Sequence, residues 1–217
     1  MIEFQNISKA YALGSGKKVL LDNVSFFFGE GVNIGILGVN GAGKSTTLRM
    51  IAGSEAPDKG RILRSGTFSW PLGFAAGFNG SLSGEENLRF ICRIYAADIA
   101  QVTLSVAEFS ELGEALYEPV STYSTGMRAR LAFALSMAIE FDVYLVDEIM
   151  GVGDRLFQEK CRAAFNEKSK KSSIIMVSHS MNTIRDYSDV VLLLSKGKVE
   201  IYDDVEEAIT NYEQVVA

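Results

Sequence analysis

Three stretches of this sequence bring together residue types suited to holding and cleaving a phosphate chain. The first is Gly38-Val39-Asn40-Gly41-Ala42-Gly43-Lys44-Ser45, followed by Thr46. Its G-x-x-x-x-G-K-[ST] spacing lets glycine backbone turn several N–H groups toward one point, ahead of a helix whose N-terminus adds a positive dipole. Lys44 supplies a point charge for the outer phosphates and Ser45 a hydroxyl ligand for Mg²⁺. The second is Tyr144-Leu145-Val146-Asp147-Glu148, an apolar run ending in two carboxylates. Side chains alternate along a strand, so the two acids point differently: Asp147 suits a magnesium-water contact, and Glu148 faces the γ-phosphate, where it polarises the attacking water. The third is Ile174-Ile175-Met176-Val177-Ser178-His179-Ser180. It places an imidazole just past another apolar run, where it can donate a hydrogen bond to a phosphate oxygen. Taken singly, each stretch also reads as something plainer: a glycine turn, a polar strand end, a capping or loop histidine. Their occurrence together, each at the end of an apolar run, favours phosphate chemistry.

The elements that must position these residues follow from the apolar pattern. Residues 32–37, 143–146, 173–177 and 190–194 are short, nearly continuous apolar runs. The first three each lead through small or polar residues into a helix-like segment. Strands of that character alternating with helices imply a parallel sheet covered on both faces, with the ligand crevice at the strand C-termini. Residues 2–7, 19–28 and 61–67 read as shorter strands separated by turns, a small antiparallel layer beside the main sheet. Residues 85–140 read as mostly helical, with Leu88, Ile91, Cys92 and Tyr95 on one stripe and Met127, Leu131, Leu135 and Ala138 on another. Asp203 or Asp204 opens a last helix.

Composition sets bounds on function. The 217 residues, 47% hydrophobic and 22% charged, suffice for one globular domain or a core with an inserted subdomain. A net charge of -6, from 21 Lys and Arg against 27 Asp and Glu, argues against a general nucleic-acid binder. The 1 histidine excludes a multi-histidine metal site, and the 2 cysteines, Cys92 and Cys161, read as free thiols of a reducing compartment. The opening Met-Ile-Glu-Phe-Gln-Asn lacks the basic and apolar regions of a signal peptide. The uncharged stretch 65–84 is long enough for a membrane span but holds Pro71 and several glycines, so it is a poor membrane helix.

Tyr123-Ser124-Thr125-Gly126-Met127, followed by Arg128, Arg130 and an apolar helix, adds an element that a simple phosphate-loop kinase or GTPase does not need. With it, the chain resembles the nucleotide-binding subunit of ABC transporters over essentially its whole length. The resemblance implies an α/β fold, a P-loop NTPase (RecA-like) core with a parallel sheet, a small antiparallel β layer and an inserted α-helical subdomain. It implies one ATPase domain over 1–217, with 1–76 and 141–217 as nucleotide core and 77–140 as the helical signature subdomain. ATP and Mg²⁺ are the implied cofactors, and a homodimer sandwiching ATP the implied assembly. Tyr11 matches the aromatic that stacks on adenine. Ser124 and Gly126 match the signature that meets the γ-phosphate held by the other copy. Asp154, after Gly151-Val152-Gly153, matches the loop that communicates across the dimer. The chain departs from the family in the residues just before Asp154, at Thr125 and Met127, which stand for the signature's usual glycine and glutamine, and in having no glutamine between Gln5 and Gln101. Asn79, a shorter amide, is the nearest substitute metal-loop ligand.

The segments around Trp70, Pro71 and Gly73, the run to Gly80, and Gly84-Glu85-Glu86-Asn87 resemble the polysaccharide-exporting branch, and within it the capsular polysaccharide exporters. That implies a separate integral membrane permease, a polysaccharide handled by the complex rather than by this chain, and a place on the cytoplasmic face of the bacterial inner membrane. Trp70, Phe74 and Phe78 then form a socket for the permease, or else belong to the core. O-antigen, teichoic acid or other glycan or lipid export has the same chemistry with a different partner. A non-transport ATPase of this family normally carries coiled-coil insertions or tandem domains, and neither is visible.

Overall fold

The computed structural model describes residues 1–14, 16–72, 77–147 and 154–216, with the side chain of Leu13 also left out. The chain divides into two compact units: Met1–Pro71, Asp142–Glu148 and Ser172–Ala217 form the first, Leu72–Phe141 and Ile149–Lys171 the second.

The first unit holds two sheets. The smaller has the order β2-β1-β4, with β1 (Ile2–Leu13) antiparallel to both β2 (Gly16–Phe28) and β4 (Lys59–Arg64). Alternation decides its faces: Val24, Phe26 and Phe28 turn inward while Ser25 and Phe27 face out. Phe4 stacks on Phe26 with ring centroids 4.2 Å apart. The larger sheet has the order β5-β6-β7-β3-β8-β9. Its strands are β3 (Ile34–Gly38), β5 (Phe68–Leu72), β6 (Val143–Asp147), β7 (Ser173–Val177), β8 (Val190–Ser195) and β9 (Lys198–Tyr202). β3 pairs in parallel with β7 and β8, and β6 in parallel with β7. Every residue of β3 is buried, as a central strand covered on both faces requires. Ile36, Leu145, Ile175 and Leu192 of this sheet join Phe4, Phe26 and the helix residues Leu48 and Ile51 in one apolar cluster.

The antiparallel layer and parallel core stand where the sequence puts them. Two strands of the larger sheet are additions. β9 returns antiparallel to β8 through Lys196 and Gly197, both at positive φ, the two-residue turn whose twist matches a hairpin. β5 lies inside the uncharged stretch and carries Pro71, which cannot donate to a ladder and so sits on an edge strand. Trp70, on β5, is half-buried, Phe78 is half-buried in its loop, and Phe74 lies outside the described residues. Among the described residues, no helix is long and apolar enough to cross a membrane.

Three helices complete the first unit: α1 (Lys44–Ala52), α6 (Met181–Tyr187) and α7 (Val205–Val216). Asp204 accepts from Glu206 N at 2.9 Å and so opens α7.

The second unit is helical: α2 (Gly84–Ile94), α3 (Ile99–Ser110), α4 (Thr125–Ala138) and α5 (Arg155–Ser169). Leu88, Cys92, Val106, Leu131 and Leu135 are fully buried between them. α5, which the sequence reading leaves with the nucleotide core, packs here with α3 and α4. Phe157 meets Phe109 edge-on at 5.7 Å, and the Arg130 guanidinium lies 4.4 Å above the Phe157 ring.

Candidate active site

Parallel pairing brings the C-terminal ends of β3, β7 and β6 side by side. Gly38 ends β3, Asp147 ends β6, and His179 follows β7 by two residues. They border a cavity of about 530 Å³ that Tyr11, Lys44, Ser45, Asp147 and His179 line. That volume falls inside the roughly 300–1,000 Å³ of small-molecule clefts, and the place is the crevice where open α/β sheets bind ligands.

The loop between β3 and α1 wraps one wall. Ala42 N donates to Val39 O at 3.0 Å, which closes a tight turn. Gly43, at φ 108, is the N-cap of α1, a conformation that a side chain would strain. From there the first helical hydrogen bond forms, Thr47 N to Gly43 O at 2.8 Å, and the N–H groups of the first turn have no partner within the helix. Lys44 is 8% exposed, and its ammonium donates to Gly38 O at 2.7 Å and Val39 O at 3.3 Å. The chain's own carbonyls thus hold the cation beside the loop it must serve. Ser45 Oγ donates to Asp147 Oδ1 at 3.3 Å across 102 residues of sequence. A serine hydroxyl and a carboxylate so paired, facing a phosphate cradle, form a hard-oxygen donor set that fits Mg²⁺ shared with substrate phosphates.

Of the sequence-predicted site residues, Tyr11, Asn40, Gly41, Gly43, Lys44, Ser45, Thr46, Asp147 and His179 come together on this cavity. Gly38, Val39 and Ala42 complete the loop. Glu148 and Gly151, Val152 and Gly153 lie outside the described residues. The others belong to the second unit. Ser124 is the exposed N-cap of α4, accepting from Met127 N at 3.2 Å, and Gly126 is exposed in its first turn. The buried Tyr123 beside it anchors this turn by donating to Ala115 O at 2.5 Å. Asp154 caps α5, accepting from Phe157 N at 3.0 Å, and pairs with Arg130 at 2.8 Å. The hydrogen bond from the Phe157 N–H, with Arg130 adding attraction, holds its carboxyl below the usual range. Asn79 Oδ1 accepts from Ser81 N at 3.0 Å, a local turn bond.

Two cavity residues escape the motif reading, Lys18 and Leu20 on β2. A Cβ built on Gly41 would stand 2.5 Å from Lys18 Nζ, so that ammonium reaches over the phosphate loop as a second cation. Period-two spacing gives both residues one strand face, the only sequence signal for them.

The ABC transporter family profile matches residues 21–151. The capsule polysaccharide export ATP-binding protein CtrD of Neisseria meningitidis serogroup B is 50% identical over 212 residues, covering 98% of this chain and 98% of that protein. The ATP-binding protein BexA of Haemophilus influenzae is 50% identical over 214 residues, covering 99% of each. Among solved structures, the dimeric post-hydrolysis state of an ATP-binding cassette bound to ADP and phosphate superposes with a TM-score of 0.75. It is 21% identical and covers 92% of this chain and 97% of its own, a likeness of fold. A phosphate loop at the strand ends, a metal-type acid paired to its serine and likeness along the whole chain lead to one conclusion: this chain belongs to the ABC transporter family, as one of its ATP-binding, ATP-hydrolysing subunits.

Proposed function

We propose that this chain hydrolyses ATP, with Mg²⁺, to power export of a capsule-type polysaccharide through a separate integral membrane permease. The observation that carries the chemistry is the Ser45–Asp147 pair facing the Lys44 loop at the ends of parallel strands. Full-length similarity to capsule polysaccharide export proteins supports the cargo.

The residues divide the task. Tyr11 stacks on the base. The backbone N–H groups of residues 39–46 and the Lys44 ammonium hold the phosphates and stabilise charge that builds up on the transferring phosphoryl group. Lys18 adds positive charge above Gly41. Ser45 and Asp147 would hold Mg²⁺, which would supply charge neutralisation to the bound phosphates; Asn79 is a further candidate ligand. Glu148 orients the attacking water, and His179 donates to a γ-phosphate oxygen. In a homodimer, Ser124 and Gly126 of one copy contact the nucleotide of the other through the N-terminus of α4, with Asp154 beside that contact. Loss of the γ-phosphate removes those contacts, so the dimer opens and moves the permease. The complex works from the cytoplasmic face of the inner membrane and involves no nucleic acid.

Purification of the chain from membranes with its bound permease, followed by ATPase assay with and without the exported glycan, tests this reading. ATP turnover that depends on Lys44 and Glu148, and co-purification of a capsule-export permease, are expected. A permease for teichoic acid, O-antigen or lipid would overturn the cargo, and turnover unaltered by Glu148→Gln would overturn the catalytic assignment.

A further inference from the structure

Just past α1, the Tyr11 hydroxyl, Lys9 and Arg49 gather around one carboxylate that the phosphate chemistry does not use. Glu55 Oε1 accepts from the Tyr11 hydroxyl and lies 3.0 Å from Lys9 Nζ; Glu55 Oε2 accepts from Arg49 Nε at 3.0 Å. Arg49 also donates through Nη2 to Thr46 Oγ1 at 3.0 Å, on the first turn of α1. Lys9 is held in turn by Ala56 O at 2.8 Å and by Asp58, 3.6 Å away. The Glu55 and Lys9 side chains are only 17% and 11% exposed. Burial pushes the Glu55 carboxyl up, but the Tyr11 hydroxyl, Lys9 and Arg49 outweigh it and hold it at about 2.

Tyr11 itself is 38% exposed and lines the nucleotide cavity. It is no core residue, so burial does not hold its ring. The Lys9 ammonium stands over the ring, 5.4 Å from its centroid, which leaves the opposite face for a planar ligand. An aromatic platform at a cavity mouth loses rotamer freedom when a ligand binds, and a prior anchor removes that cost.

We propose that Glu55 is the positioning residue of the base site: it locks the Tyr11 ring in its stacking orientation and, through Arg49, ties that ring to Thr46 on the phosphate-binding helix. This rests on Tyr11 being the residue that meets the base. The base and phosphate subsites are then one preassembled unit, joined by side chains 44 residues apart in sequence.

Binding titrations with two probes, ATP and inorganic tripolyphosphate, separate the base site from the phosphate site. Glu55→Gln keeps the size and loses the charge; Tyr11→Phe keeps the ring, every ion pair and the fold but loses the hydroxyl. Each variant should weaken ATP about three- to tenfold and leave tripolyphosphate unchanged, the scale of one charge-assisted hydrogen bond and one ordered side chain. The double variant should be no weaker than either single one. ATP affinity in either single variant equal to that of the unaltered protein, additive losses, or a parallel loss of both probes would overturn the anchor, the last marking mere fold support. If the unaltered protein binds tripolyphosphate and ATP equally, the Tyr11 base site itself fails, a result distinct from failure of the anchor.

Discussion

At the scale of single residues, the chemistry depends on charges held by the backbone. Lys44 is buried against the carbonyls of Gly38 and Val39, so it stands beside the loop before any phosphate arrives. Lys44→Ala should lower ATP turnover about 100- to 1,000-fold, the size of losing one preorganised donor to developing charge, while thermal stability changes little. Glu55 gives a pH signature. Its carboxyl is depressed from 4.5 to about 2, so its stabilising pairs are fully present above pH 4.5 and are lost as pH falls toward 2. Denaturation across that window should show a shallower loss in Glu55→Gln than in the unaltered protein; identical acid limbs would refute the pairing. The two thiols differ. Both are buried, and burial pushes Cys161 up to about 12 and Cys92 above its ordinary value. A thiol reagent should leave the native protein nearly untouched and titrate 2 groups after denaturation. Lys44, Ser45 and Asp147 were legible because each belongs to a contiguous motif. Glu55 was not, because its meaning comes from Tyr11, Lys9 and Arg49 around it.

At the scale of elements, helix ends and strand ends place nearly everything. Ser83 and Glu86 form a reciprocal cap at α2, which the run Ser-Gly-Glu-Glu announces. Asn87, 3% exposed, then organises the loop before it: Oδ1 accepts from Asn79 N at 2.8 Å, and Nδ2 donates to Asn79 O at 3.0 Å and Ser83 O at 2.8 Å. Asn87→Ala should cost about 1–3 kcal/mol in chemical denaturation, because it strands buried backbone groups, and should leave the α4 N-terminus unaffected. The parallel strands were readable as continuous apolar runs. β5 was not, since Phe68-Ser69-Trp70-Pro71-Leu72 has neither strict alternation nor a β-branched run. Its place comes from neighbours: Ser69 Oγ accepts from Leu145 N at 2.9 Å, and Asp142 accepts from Thr67 N at 2.7 Å.

At the scale of the whole molecule, one chain offers a phosphate loop in one unit and the exposed Ser124 cap of α4 in the other, which the proposed dimer brings to its partner's nucleotide. ATP with Glu148→Gln should therefore convert monomer to dimer in sedimentation, ADP should not, and removal of Mg²⁺ should stop turnover in the unaltered protein. A Glu148→Gln chain that stays monomeric with ATP would refute the sandwich. The sequence by itself determined the phosphate chemistry, because a glycine loop acts through contiguous backbone and needs only a strand before it and a helix after it. It also determined the alternation of strands and helices, through apolar periodicity. Only the tertiary structure decided which distant groups share a site. Ser45 meets Asp147 because β6 lies two strands from β3, Lys18 reaches over Gly41, and Glu55 catches Tyr11. Those meetings depend on strand order and side-chain direction, which local pattern does not encode.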